Sequence, residues 1–137
     1  MFADIDHSHP EVREDLFNWV QWLSSQLNLG GLRLDAVKHY SASFLRDFLQ
    51  HIDQNVDPDW FIVSEYWRND SDILARYIEY MSHRISLFDV RLMENFYRLS
   101  WNDDSDLRTV LDGSLTKLKP QNAVVRIVAL EQPLKPD

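Results

Sequence analysis

An α/β fold, with a parallel sheet joined by helical crossovers, is what this sequence predicts, and three observations predict it. Segments with apolar residues at helical spacing alternate with short strand-like runs along most of the 137 residues. One of those runs, Trp60-Phe61-Ile62-Val63, is almost wholly apolar, as in strands covered on both faces. The elements also follow in the order αβαβαβαα and then β, the alternation that crossovers between parallel strands leave in a sequence. The length suits one compact domain.

In chain order, Ser8-His9-Pro10-Glu11 has the form of a capping box, with Ser8 as N-cap, Glu11 three residues on and Pro10 in the tolerant first turn. Val12, Leu16, Val20, Leu23 and Leu27 then recur at helical spacing, and Gly30-Gly31 is expected to stop that helix. A short strand is expected over 32–37. A second helix is expected over about 43–54, with Phe44, Leu45, Phe48, Leu49 and Ile52 on one face. After the Trp60–Val63 run, Asn69 or Asp70 caps a third helix carrying Ile73, Leu74, Tyr77, Ile78 and Met81. A strand over 85–90, a weaker helix over 91–100, a short helix over 104–111 and a last strand over 123–128 complete the series. Residues 129–137 are expected to form a frayed tail. No internal repeat or low-complexity linker interrupts the chain.

Composition narrows the function. The chain is 45% hydrophobic and 26% charged, which fits a soluble globular domain. Its formal charge of −8, without a block of Lys or Arg, argues against nucleic acid or an anionic membrane as partner. With no cysteine there is neither a disulfide framework nor a cysteine zinc site. No apolar run approaches the roughly 20 residues that span a bilayer. The start, Met-Phe-Ala-Asp-Ile-Asp, lacks the basic and apolar regions of a signal peptide, so the expectation leans to the cytoplasm. Five tryptophans suit either a core or stacking on sugar rings.

Chemistry in parallel α/β folds sits at the carboxyl ends of the strands. Asp35 and Glu65 fall there, on successive strands. Adjacent strands lie about 4.8 Å apart, so the two carboxyl groups can approach to about 5 Å, as in a retaining glycosidase pair. Arg33 shares a strand face with Asp35 and favours its ionised form, which suits a nucleophile. Glu65 lies between apolar and aromatic residues near a negative charge, which suits a general acid. Either carboxylate alone is more often a helix cap or the partner of a local Arg, and spacing by itself leaves the pair open between the two readings.

Gly31-Leu32-Arg33-Leu34-Asp35-Ala36-Val37-Lys38-His39 closely resembles the strand-four motif of the α-amylase family of glycoside hydrolases, family 13. Phe61-Ile62-Val63-Ser64-Glu65-Tyr66-Trp67 resembles its strand-five motif, and Phe88-Asp89-Val90 the following strand. The opening Phe2 to Pro10 is similar to the stretch that leaves the family's inserted loop domain. The likeness spans about residues 1–124 and is nearest to the bacterial liquefying and fungal intracellular types.

The resemblance implies a partial (β/α)8 TIM barrel, about strands four to seven, over residues 1–128, with 1–9 as the exit from the loop domain. It implies retaining hydrolysis of α-1,4-glucans such as starch or glycogen, a step in carbohydrate metabolism. Asp35 would be the nucleophile, Glu65 the general acid/base and Arg33 the holder of Asp35. Lys38, His39 and Trp67 would line subsites beyond the cleaved bond; otherwise the first two are a solvated helical turn and Trp67 a lid over Glu65. Asp4, with the carbonyl of His39, would bind calcium, a cation that prefers oxygen. Asp6 matches a second cation site in some relatives, but Ser8 stands where they carry a carboxylate. His7 and His9 lack a third ligand at zinc spacing.

The chain departs from the family in three ways. It starts after the first three strands and lacks the motif and the calcium-binding Asn carried there. Val125-Arg126-Ile127-Val128 stands where the third catalytic Asp is due. The eighth strand and the C-terminal domain are also absent. A closed barrel needs eight strands, so the expectation is a truncated catalytic domain, as from an incomplete gene model, a splice variant or a remnant, inactive by itself. Its open sheet is expected to expose Leu32, Leu34 and Ile62 and to favour association or loose packing. The competing readings are a non-catalytic fragment with at most glucan or protein binding, and a Mg²⁺ enzyme using strand-end carboxylates. Arg33 and the Trp67 region suit a sugar better than a divalent ion.

Overall fold

Four parallel strands lie side by side in chain order in the computed structural model, which describes residues 5–102 and 104–125. They are β1 (Gly31–Leu34), β2 (Phe61–Ser64), β3 (Ser86–Phe88) and β4 (Ala123–Val124). Helix α1 (Pro10–Gln26) precedes β1, and α2 (Ala42–Asn55) and α3 (Ser71–Tyr80) form the next two crossovers. The third crossover holds α4 (Val90–Ser100) and α5 (Leu115–Leu118). Single 3-10 turns occupy Val37–His39, Leu107–Thr109 and Pro120–Asn122.

The pairing register decides which side chains share a face. Gly31 pairs with Phe61, Arg33 with Val63 and Ser64 with Leu87. Because strand side chains alternate, Leu32, Leu34, Ile62 and Leu87 face the helices. There Ile62 and Leu87 are buried against Leu45, Ile52, Leu74 and Ile78, with Leu32 and Leu34 packed at the margin. The expectation that Leu32, Leu34 and Ile62 would lie open is therefore corrected. The opposite face carries Gly31, Arg33, Phe61, Val63 and Phe88, and Phe61 is 56% exposed on it. The Trp60–Val63 run is thus covered on one face only among the described residues.

Gly31 sits directly against the Phe61 backbone. A Cβ there would lie 1.9 Å from the Phe61 carbonyl oxygen, and its φ of 155° is one that other residues rarely adopt. At the opposite rim from the strand ends, Arg84 donates to Asp53 (2.6 Å) and to the carbonyls of Trp60 (2.8 Å) and Pro58 (3.1 Å). One guanidinium so ties the end of α2 to the approaches of β2 and β3.

Several element ends differ from the sequence expectation for local reasons. Pro10 takes the first helical position, which makes His9 the N-cap, and the Ser8 amide and hydroxyl turn back to Asp6 Oδ1 (2.9 and 2.6 Å) instead. Helix α1 ends at Gln26, before the glycine pair. Ser41, Asp70 and Asp89 cap α2, α3 and α4 by accepting the amides of Phe44, Ile73 and Leu92. Asp89 thereby ends β3 at Phe88 rather than at residue 90. The helix expected over 104–111 is only the 3-10 turn Leu107–Thr109, while α5 was not foreseen. Of the strand expected over 123–128, residues 126–128 lie outside the described residues, as do Asp4 and the tail 129–137.

Candidate active site

Both carboxylates of interest stand one residue beyond their strands, Asp35 after β1 and Glu65 after β2. Main-chain bonds continue the ladder past them. The Glu65 amide donates to the Leu34 carbonyl (2.8 Å) and the Val37 amide to the Glu65 carbonyl (3.0 Å). Their backbones are thus locked side by side, and the shared strand face turns both side chains to one rim.

Arg33 joins them. Its Nη2 donates to Asp35 Oδ1 at 3.0 Å and to Glu65 Oε2 at 2.5 Å. These two contacts from one atom hold the oxygens within about 5.5 Å of each other, in the range of a retaining carboxylate pair. Arg33 meets Asp35 as its place on the strand face suggests, and the same cation is shared with Glu65. Behind it the guanidinium lies 5.9 Å from the centre of the Phe88 ring. The two side chains meet water differently, Asp35 being 73% exposed and Glu65 21%.

The remaining sequence candidates gather only in part. Lys38 Nζ donates to the Trp67 carbonyl at 3.1 Å, fastening the turn after β1 to the loop after β2. Trp67 itself is 45% exposed in that loop. His39 is exposed in the 3-10 turn, where its amide donates to the Ala36 carbonyl (2.9 Å). It also borders a cavity of about 530 Å³ with Asp6, His7, Arg13 and Tyr40. Among the described residues no group of three or more His, Cys, Asp or Glu is placed to hold a metal ion. His7 packs on the rings of Phe44 (4.7 Å) and Tyr40 (5.5 Å). The two bonds from Ser8 hold the Asp6 carboxyl below its ordinary value.

One contributor went unforeseen. The Tyr40 hydroxyl donates to the Asp35 carbonyl at 3.2 Å. Burial, and then the charge of Asp35, push the Tyr40 phenol up to about 12, so it keeps its donor proton throughout the neutral range. A tyrosine five residues after a carboxylate carries no sequence signal of such a bond.

No family model matches the chain. Among known proteins it is similar to glucan 1,4-alpha-maltohexaosidase of Bacillus sp. (strain 707), 38% identical over 125 residues, which are 90% of this chain and 24% of that one. The α-amylase of Bacillus licheniformis is likewise 38% identical over 125 residues, with the same coverage of 90% and 24%. The crystal structure of the Geobacillus thermoleovorans α-amylase complexed with acarbose superposes with a TM-score of 0.74 at 25% identity, covering 88% of this chain and 26% of that one. The chain spans about a quarter of the length of the curated relatives it matches.

Proposed function

Since the chain belongs to the α-amylase family of glycoside hydrolases, as part of that family's (β/α)8 catalytic barrel, we propose that Asp35 and Glu65 are the catalytic pair for retaining cleavage of α-1,4-glucans. The observation that carries this reading is the single Arg33 nitrogen bonded to both carboxylates at adjacent strand ends. In the first step the Asp35 carboxylate bonds to the anomeric carbon as the bond to the leaving oxygen breaks, and Glu65 gives that oxygen a proton. In the second step the Glu65 carboxylate takes a proton from water, whose oxygen displaces Asp35 from the sugar. Of the two, Glu65 is the more withdrawn from water and Asp35 the more open to an incoming sugar, in keeping with these roles. Arg33 lies between them and balances the charge of both.

Lys38, His39 and Trp67 belong to the same proposal as the wall beyond the cleaved bond. The Trp67 ring offers a flat face to a sugar, and Lys38 steadies the loop that carries it. Calcium is supported less directly. The His39 carbonyl would supply one of the six to eight oxygens that calcium takes, and Asp4, the other implied ligand, lies outside the described residues. A chelator that leaves the melting temperature of a complete barrel unchanged would remove calcium from the proposal.

The test is a full-length chimera in which residues 1–124 replace the matching stretch of the B. licheniformis relative. It should release maltooligosaccharides from soluble starch. A folded chimera that releases none would refute the assignment.

A further inference from the structure

We infer that Tyr40 is a positioning residue for Asp35, acting through the main chain; this rests on the nucleophile reading of Asp35. The Asp35 side chain is largely in water, and among the described residues its side-chain bond is to Arg33, itself shared with Glu65. Its direction is therefore set by its own backbone. That backbone turns sharply: Ala36 is left-handed (φ 50°, ψ 36°), a conformation an alanine keeps only when its surroundings enforce it.

The enforcing contacts are few and specific. Before Asp35, the Leu34 carbonyl accepts the Glu65 amide; after it, the Val37 amide donates to the Glu65 carbonyl. The Asp35 carbonyl itself is held by the Tyr40 hydroxyl at 3.2 Å, which closes the loop 35–40 on its outer side. The hydroxyl is held in turn, because the Tyr40 ring packs against the core and the His7 ring lies 5.5 Å from it. The result is a continuous path from the opening segment, through His7 and Tyr40, to the peptide that carries the attacking carboxylate.

Tyr40→Phe removes the hydroxyl and leaves the ring, so it separates positioning from packing. In the isotope-labelled 137-residue chain it should shift the Asp35 carbonyl carbon resonance. It should also speed hydrogen exchange at the Val37 amide by about 3- to 10-fold, the effect of losing one ordinary hydrogen bond. Amides within β2 and β3 should be unaffected. His7→Ala should act in the same direction at Val37, to a smaller extent. In the chimera, Tyr40→Phe should lower kcat by about the same factor with KM unchanged. Unaltered Val37 exchange, exchange that rises equally at every amide, or a kcat loss that merely follows the folded fraction would each overturn the inference. Failure of the nucleophile reading looks different: Asp35→Asn would then leave turnover intact while the exchange effect of Tyr40→Phe persists.

Discussion

In the chimera, Asp35→Asn should lower kcat by about 10⁴-fold or more, and Glu65→Gln by about 10²- to 10⁴-fold, with little change in melting temperature. Both substitutions keep the size and one carbonyl oxygen of the side chain, so Arg33 keeps an acceptor on each side. What they remove is chemical. An amide at 35 forms no ester with the anomeric carbon, and an amide at 65 carries no proton to the leaving oxygen. The Asp35 side chain is mostly solvated, so little stability is at stake. Steady-state kinetics on starch with parallel thermal melts decides the matter. Near-normal turnover in either variant would show that the residue has another role.

A polypeptide of these 137 residues tested alone should fold around its core and yet fail to hydrolyse starch. Folding is expected because the helix-facing side of the sheet is filled: Ile62, Leu87, Leu45, Ile52, Leu74 and Ile78 are all buried. Activity is not expected because, among the described residues, four strands form the groove around the carboxylates and a closed barrel has eight. A sugar bound to a partial wall reaches Asp35 and Glu65 poorly aligned, and misplacement of about 1 Å costs about 10²-fold in rate. The interaction attributed by resemblance to a third carboxylate would be lost as well, which commonly costs about 10²- to 10³-fold. Phe61 on the open face, and the outer edges of β1 and β4 that are unpaired among the described residues, favour self-association at high concentration. Sedimentation and a chromogenic maltooligosaccharide assay on one sample provide the check. Turnover by a monomer, abolished by Glu65→Gln, would contradict this expectation.

The parts of the site that the sequence made legible are those fixed by strand period and strand end. Asp35 and Glu65 were readable because two strand-like runs each stop at a carboxylate, and Arg33 because a period of two puts it on the same face. The α2 face was readable because its five large apolar residues are all buried. What stayed hidden depends on contacts between distant segments. The sharing of Arg33 follows from the β1–β2 register, which no local pattern encodes. The bond from Tyr40 to the Asp35 carbonyl depends on the left-handed turn at Ala36, which an alanine does not announce. The failed cap at Ser8 and the short α5 were decided by competing neighbours: Asp6 captured the serine hydroxyl, and Asp89 accepts the Thr116 amide (2.7 Å) and hydroxyl (2.8 Å) at the start of α5.

The anomeric form of the first product tests the central claim most directly. Oxygens of the two carboxylates lie within about 5.5 Å of each other, in the range of a retaining pair and short of the roughly 6.5–9.5 Å at which an inverting pair places its water. Proton NMR of the chimera acting on a maltooligosaccharide, recorded before mutarotation, should show new reducing ends in the α-configuration. Initial β-anomer would contradict the account.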